Sequence, residues 1–247
     1  MEIVAIIPAR YASTRFPGKP LVKIKGKPMI EHVYKRVSDI EEINKVIVAT
    51  DDQRIYNAVQ KFSGEVLMTS SDLNSGTDRI AEVAKDLRAD IIVNVQGDEP
   101  LIKQEMVKEA INPFYTDSNA LMSTLKKKID DLSEIDNPNV VKVVTDSNNN
   151  ALYFSRSRIP YNRLNKANYY KHIGLYVYNR EFLMKYSQME QTKLERIESL
   201  EQLRALENGY KIKVVETNYN SIGVDLPEDI IKVEKIIEKE KLMKGKK

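Results

Sequence analysis

The sequence has no cysteine and no tryptophan, and its 247 residues include only two histidines, His32 and His172. Without cysteine, the protein cannot form disulfides, use a thiolate as a nucleophile or bind a metal through thiolates. Two histidines are also too few for a histidine-rich zinc site. Thiol catalysis, disulfide scaffolds and these zinc centres are therefore excluded.

Long apolar runs and an excess of one charge are also missing. The chain has 39 Lys and Arg against 36 Asp and Glu, and no run approaches the ~20 apolar residues of a membrane span. We find neither a secretory signal pattern at the first residues nor a basic stripe interleaved with aromatic residues. We therefore expect a soluble, cytoplasmic protein that binds neither membranes nor nucleic acids.

Apolar runs typical of buried parallel strands, at residues 3–7, 45–49 and 91–95, alternate with helix-like patterns through the first half. This order predicts βαβ units and a mainly parallel sheet. The turn-rich sequence TDSNNN, between apolar segments 140–144 and 151–154, favours an antiparallel hairpin. We predict an α/β fold with a mainly parallel mixed sheet flanked by helices and an antiparallel hairpin insertion. We place it in one domain over residues 1–247.

Two helices carry specific expectations. Thr77 is a candidate N-cap for a helix whose apolar face includes Ile80 and Leu87. The spacing of Ile197, Leu200, Leu203 and Leu206 predicts one continuous helix, which a left-handed Asn208-Gly209 cap ends. The neighbouring Glu201 and Gln202 are then expected on a solvated face.

A basic loop follows the first predicted strand and contains Arg10, Arg15 and Lys19. Ligands of open α/β sheets bind at the carboxyl ends of the strands. Guanidinium groups pair bidentately with phosphate oxygens and a lysine adds a point charge, so this loop suits a polyphosphate. A solvated basic loop is the alternative.

Two acidic segments are candidates for a magnesium site. Asp98 follows the strand at 91–95 through Gly97, and carboxylates are ligands that suit Mg²⁺; turn capping is the alternative. Asp225 follows an alternating segment that indicates a second strand end. Pro227 and Glu228 after it favour an N-cap role, although capping and metal binding could coexist.

The polar loop SSDLNSGTDR, residues 70–79, leads into a predicted helix. The free N–H groups of a helix start and the flexible Gly76 favour an anion or the polar edge of a base, while an ordinary capped helix start is the alternative. Neither a Walker A nor a GxGxxG sequence is present, so the standard P-loop and dinucleotide readings lose their main support.

A second basic segment, residues 155–158, contains Arg156 and Arg158. Two separate cationic centres suggest two anionic groups in the ligands, such as a triphosphate and a carboxylate. The alternation in HIGLYVYN places His172 and Tyr176 on one face of a strand. A lone histidine is more often structural than ligand-binding, and both readings stay open.

Nine segments give the chain a resemblance, nearly end to end, to the 3-deoxy-manno-octulosonate cytidylyltransferase family. They occur in this order: IIPARYASTRFPGKPL, VATDD, SGTDRIAEV, VNVQGDEP, VKVV, ALYFSRSRIPY, KHIGLY, LEQLRALENG and GVDLPEDI. The resemblance implies a Rossmann-like nucleotidyltransferase architecture, a homodimer and the Mg²⁺-dependent reaction of CTP with Kdo to give CMP-Kdo and pyrophosphate, which serves lipopolysaccharide biosynthesis. Arg158 and Asn162 fall where we expect variation.

The same resemblance implies roles for individual residues. The catalytic group is Arg10, Lys19, Asp98 and Asp225, of which the two aspartates hold the magnesium. The nucleotide-binding group is Arg10, Arg15, Lys19, Ser75, Arg79 and Gln96. The sugar-acid group is Arg156, His172, Tyr176, Glu201 and Gln202.

Two rival interpretations stay open. A CMP-sialic acid synthetase shares the chemistry, but the loop ARYASTRFPGKPL lacks the GSKG-type sequence that we associate with those enzymes. A catalytically inactive nucleotide-binding regulator is the non-enzyme alternative. The presence of both Asp98 and Asp225 argues against it, because a pure binder need not keep two metal ligands.

Overall fold

The structure is a computed structural model that describes residues 1–12, 16–73, 75–164, 166–220 and 222–244. The chain divides into two compact units, Met1–Gln104 with Ser221–Lys247 and Glu105–Asn220. The single domain over residues 1–247 stays a prediction, because two compact units can belong to one folded domain.

The strands of the described chain are, in order, β1 (Ile3–Ala9), β2 (Lys23–Ile24), β3 (Lys27–Pro28), β4 (Lys45–Thr50), β5 (Val66–Met68), β6 (Ile91–Asn94), β7 (Met122–Lys128), β8 (Lys142–Thr145), β9 (Ala151–Ser155), β10 (Tyr170–Asn179) and β11 (Lys213–Glu216).

The α-helices are α1 (Met29–Ser38), α2 (Gln53–Lys61), α3 (Gly76–Ala84), α4 (Gln104–Ile111), α5 (Pro113–Thr116), α6 (Arg180–Ser187), α7 (Lys193–Glu198), α8 (Leu203–Glu207) and α9 (Asp229–Lys244). Short 3₁₀ helices cover Lys19–Leu21 and Leu132–Glu134.

The first unit contains a parallel sheet in the order β6-β1-β4-β5. Ile3 to Ile7 of β1 are all at most 2% exposed, as expected for a central strand covered by helices on both faces. The predicted parallel strands are confirmed. Their carboxyl ends lie at one edge, where β1 leads to Arg10 and β6 leads to Gln96 and Asp98.

In the second unit, β7 pairs antiparallel with β10 and parallel with β11, and β8 pairs antiparallel with β9 and β10. The predicted hairpin is therefore confirmed as β8 and β9. Its turn is closed by Asp146, whose carboxylate accepts the backbone N–H groups of Asn148 and Asn150. The fold is the predicted mixed α/β fold, with a mainly parallel sheet flanked by helices.

The predicted continuous helix through Ile197 and Leu206 is wrong, because Ser199 adopts a left-handed conformation (φ 51°) that ends α7. Ile197 is consequently 68% exposed rather than packed on the stripe. A buried ion pair between Arg204 and Glu195 joins the two short helices at 2.5 Å. Gly209 has a φ of 79°, which agrees with the predicted left-handed cap after α8.

Candidate functional site

A cavity of about 410 Å³ lies at the carboxyl ends of β1 and β6 in the first unit. Its lining comprises Pro8, Ala9, Arg10, Ala12, Lys19, Pro20, Met29, Gly76, Gln96, Gly97 and Asp98. Gly97 is required by close packing, because a Cβ atom there would lie 2.8 Å from the carbonyl oxygen of Pro8. The sheet edge thus brings together the basic loop, the segment that carries Asp98 and the start of α3, as the sequence predicts.

Lys19 is the central cation of this cavity. Its Nζ lies 2.6 Å from Oδ2 of Asp98 and 3.6 Å from Oδ1 of Asp225. The side chain is 14% exposed, so the ammonium is largely shielded from bulk water. Two predicted metal ligands, distant in sequence, therefore converge on one positive charge.

A backbone hydrogen bond and the packing of the neighbouring Val224 hold Asp225 near Lys19. The N–H of Val224 donates to the carbonyl oxygen of Asp98 over 2.9 Å, and the Val224 side chain lies in a buried cluster with Ile24, Met29 and Leu101. Residues 222–225 do not form the predicted strand.

The predicted N-cap role of Asp225 is also wrong. Helix α9 begins only at Asp229, and the Oδ2 of Asp229 accepts the N–H groups of Asp225 and Leu226.

The arrangement fits a magnesium ion. Asp98 and Asp225 offer hard oxygen ligands to the same point, and Mg²⁺ typically takes one or two carboxylates and completes its shell with water and phosphates. Within the described chain no group of three or more His, Cys, Asp or Glu side chains could hold a metal. A Mg²⁺ ion at these two carboxylates would therefore take its other ligands from water and phosphates.

The basic loop is tied to the polar loop by Arg10, whose Nη2 donates to the carbonyl oxygen of Leu73 over 3.0 Å. Arg15, the third predicted cation, lies outside the described residues. Gln96 lines the cavity, and its amide donates to Oδ1 of Asn94 at 3.3 Å.

Helix α3 begins with a capping box. The Ser75 hydroxyl accepts the N–H of Asp78, and the Asp78 carboxylate accepts the N–H of Ser75, both over 3.0 Å. The N-cap is therefore Ser75, and the predicted cap at Thr77 is wrong because that residue already lies inside the helix. Capping uses the Ser75 oxygen as an acceptor and leaves its hydroxyl hydrogen for another partner.

Arg79 is fully buried and does not line the cavity. Its Nη2 donates to Oδ2 of Asp51 over 2.7 Å, and its Nη1 donates to the Thr69 hydroxyl. Burial lowers the pKa of the Arg79 guanidinium despite the opposing charge of Asp51. The side chain therefore joins the end of β4 to the polar loop.

The predicted sugar-acid residues all lie in the second unit. The Arg156 guanidinium donates to the backbone carbonyls of Pro138, Glu198 and Ser199. Three of its five N–H groups thus have partners within the described chain, which leaves two donors for a ligand.

His172 and Tyr176 share one face of β10, as predicted, and their ring centroids are 5.4 Å apart. His172 keeps a partly exposed edge, yet burial lowers its pKa to about 3, so the ring is neutral at pH 7. Its Nε2 lies 2.9 Å from the Thr124 hydroxyl oxygen, which also lies 2.9 Å from the carbonyl oxygen of Leu175. Because the hydroxyl donates to the carbonyl, Nε2–H donates to the hydroxyl and Nδ1 is left as an acceptor. Burial also raises the pKa of Tyr176.

Gln202 is 3% exposed, so its expected place on a solvated face is wrong. The break at Ser199 turns it inward. Within the described chain its buried Nε2 has no hydrogen-bond partner, which is an unfavourable state that a ligand acceptor would relieve. The adjacent Glu201 is partly exposed and lies 3.9 Å from Arg204.

Several supporting residues were missed by sequence reasoning. Lys142 and Glu198 contact the backbone of Arg156, and Glu195 pairs with Arg204. A lysine inside a strand pattern, at 142, was the available signal for the first. Nothing in the sequence pattern indicated the two glutamates, because their partners depend on the break at Ser199.

The α/β fold and the cationic cavity at its sheet edge are those expected of a protein that binds a polyphosphate, and comparisons with known proteins are more specific. The family model described as Cytidylyltransferase matches residues 4–212, so the chain belongs to that family.

Curated relatives agree with this family. The chain is 57% identical over 245 residues to the 3-deoxy-manno-octulosonate cytidylyltransferase of Geotalea daltonii, with 94% of this chain and 97% of the relative covered. It is 52% identical over 257 residues to the protein of the same name from Trichlorobacter lovleyi, with 99% and 100% covered.

A solved structure is also similar over nearly its whole length. CMP:2-keto-3-deoxy-manno-octonic acid synthetase complexed with CTP superposes with a TM-score of 0.94 at 45% identity, covering 97% of this chain and 100% of the other. The predicted nucleotidyltransferase architecture is thereby confirmed. In the described chain we find no helix long and apolar enough to cross a membrane.

Proposed function

We propose that the protein is a 3-deoxy-manno-octulosonate cytidylyltransferase, which joins CMP from CTP to Kdo and releases pyrophosphate. The observation that carries the proposal is the convergence of Asp98 and Asp225 on Lys19 at the nucleotide-sized cavity. The named relatives, at 52–57% identity, supply the substrate pair.

The nucleotide side of the reaction belongs to the first unit. Arg10 and Lys19 bind the triphosphate and the negative charge that develops on it, together with Arg15 from the same loop. Ser75 and Gln96 contact the cytidine. Arg79 acts indirectly on the cytidine site, because its buried guanidinium holds the loop before α3.

The chemistry is an in-line displacement at the α-phosphorus by the anomeric hydroxyl of Kdo, with pyrophosphate as the leaving group. Mg²⁺ held by Asp98 and Asp225 would neutralise phosphate charge and lower the pKa of a coordinated hydroxyl. Lys19 stabilises charge on the phosphate oxygens and the departing pyrophosphate. No covalent enzyme intermediate is required.

Sugar-acid recognition belongs to the second unit. Arg156 has two N–H donors beyond its carbonyl contacts, which suit the Kdo carboxylate. His172 and Tyr176 offer neutral polar groups on one strand face, while Glu201 and the unpartnered Nε2 of Gln202 suit sugar hydroxyls. A hydrogen-bonding surface of this kind, with one guanidinium for the carboxylate, is suitable for a polyhydroxylated acid.

We also propose that the enzyme is a cytoplasmic homodimer. Several large apolar side chains of the second unit are more than half exposed: Leu132, Leu152, Tyr161, Leu164 and Ile197. If these side chains form one contiguous patch, that patch would suit an interface between two copies of the chain.

The decisive experiment measures pyrophosphate release from CTP and Mg²⁺ with Kdo, sialic acid or no acceptor, and identifies the nucleotide product by mass. Kdo-dependent release with CMP-Kdo as product supports the proposal. Release only with sialic acid would keep the mechanism and change the substrate. CTP binding without release under any condition would identify a regulator.

A further inference from the structure

Lys142 is a completely buried lysine outside the groups assigned so far. Its ammonium donates to three backbone carbonyls, those of Asn137 (3.0 Å), Val140 (2.6 Å) and Arg156 (2.5 Å). Three acceptors satisfy all three ammonium protons. Burial lowers the pKa of Lys142.

The contacts of Lys142 form one side of a clamp on the backbone of Arg156. On the other side, the Arg156 N–H donates to Oε2 of Glu198 over 2.9 Å, while Oε1 of the same carboxylate accepts the Ser155 hydroxyl over 2.6 Å. The carbonyl and the amide of one residue are therefore both held by charged side chains. Charge-assisted hydrogen bonds of this kind are shorter and stronger than neutral ones.

The Arg156 side chain extends the clamp to two further segments. Its guanidinium donates to Pro138 in the loop that Lys142 also holds, and to Glu198 and Ser199 at the left-handed end of α7. That turn leads directly to Glu201 and Gln202. The Lys142 ammonium thus belongs to a hydrogen-bond network that includes Arg156 and extends to the turn before Glu201 and Gln202. These are three of the five residues proposed for the sugar acid.

An apolar side chain in place of Lys142 would leave three backbone carbonyl oxygens without this donor, so the ammonium contributes to stability. The same three contacts also fix the position of the Arg156 backbone.

We propose that Lys142 is a positioning residue for the sugar acid, acting through Arg156. The inference rests on the proposed function, since it concerns recognition of the acceptor. Lys142 fixes the Arg156 backbone, so that the two remaining guanidinium donors face the carboxylate in one geometry.

The test combines Lys142→Met and Arg156→Met as single changes and as a pair in the full-length protein. We expect Lys142→Met to raise the KM for Kdo roughly tenfold and to weaken Kdo binding in calorimetry by a similar factor. The KM for CTP should change less than about twofold, because the CTP groups belong to the other unit. In the Arg156→Met background, Lys142→Met should add less than about a further twofold.

Two controls keep the outcome interpretable. Lys213→Met removes a partly buried lysine of the same unit, paired with Asp117 at 3.3 Å, and should leave the KM for Kdo unchanged. If Lys142→Met does not fold, as judged by circular dichroism, Glu198→Gln replaces it and should give the same selective rise in the KM for Kdo.

Parallel losses for both substrates, or effects of Lys142→Met and Arg156→Met that simply multiply, would overturn the positioning role. An unchanged KM for Kdo in Lys142→Met would also overturn it. If the unmodified protein neither binds Kdo nor releases pyrophosphate with it, the proposed function fails instead, so the two failures are distinguishable.

Discussion

The ammonium of Lys19 lies 2.6 Å from Asp98 and 3.6 Å from Asp225, which are 127 positions apart in sequence. In the proposed function, Lys19 and a Mg²⁺ ion held by the two carboxylates would both stabilise charge on phosphate oxygens. Removing either carboxylate should therefore affect the chemical step more than nucleotide binding.

We predict that Asp98→Asn lowers kcat by at least about 100-fold while changing the KM for CTP only a few-fold, because the lost charge acts mainly in the transition state. Steady-state kinetics with Kdo and CTP over a range of Mg²⁺ concentrations measure both values. Glu99→Gln, the neighbouring carboxylate outside the cavity lining, is the matched control. A normal kcat in Asp98→Asn would remove this residue from the catalytic role.

Asp51→Asn should destabilise the protein by about 3 kcal/mol, since it leaves the fully buried Arg79 without its charged partner. Urea unfolding followed by circular dichroism gives the free energy. The control is Asp52→Asn, which breaks an exposed pair with Arg54 and should cost about 1 kcal/mol or less apart from its helix-cap contribution. Equal losses in the two variants would show that Arg79 does not depend on Asp51.

Leu152→Asp combined with Ile197→Asp should convert the proposed dimer to a monomer, because each change places a charge at an apolar position that is 61% or 68% exposed in the isolated chain. Light scattering coupled to size-exclusion chromatography measures the mass of each form. The matched control is Leu242→Asp, an equally exposed leucine at 67% on α9 in the other unit. A monomeric unmodified protein, or a dimer that survives the double change, would contradict this surface.

Much of the nucleotide site could be predicted from the sequence because its elements are local. Apolar strands such as residues 3–7 and 91–95 lead straight into the groups they present, Arg10 and Asp98, so strand order alone brings them to one edge. Ser75 illustrates the limit of this reasoning. Ser75 rather than Thr77 is the N-cap, because it forms a reciprocal pair of hydrogen bonds with Asp78. Apolar spacing does not reveal this pair.

The placement of the proposed sugar-acid residues could not be predicted in full, because it depends on tertiary contacts. A periodic stripe predicted one helix through Leu200, but the left-handed Ser199 breaks it and turns Gln202 inward. The Glu195 to Arg204 pair and the Arg156 contacts to Glu198 and Ser199 stabilise that break. These partners are 9 to 43 residues apart in sequence, which is why the pattern of a single segment could not predict them.

The last prediction concerns acid stability and His172. Burial lowers its folded-state pKa to about 3, whereas the unfolded value is near 6.5, so the unfolded chain takes up the proton first. The stability from the neutral ring is complete above about pH 6.5 and is lost as the pH falls towards 3, by at most about 1.4 kcal/mol per pH unit. We therefore expect the advantage of the unmodified protein over His172→Gln, measured by urea unfolding at pH 7, 6 and 5, to shrink at low pH. A difference that stays constant over this range would show that His172 titrates normally in the folded protein.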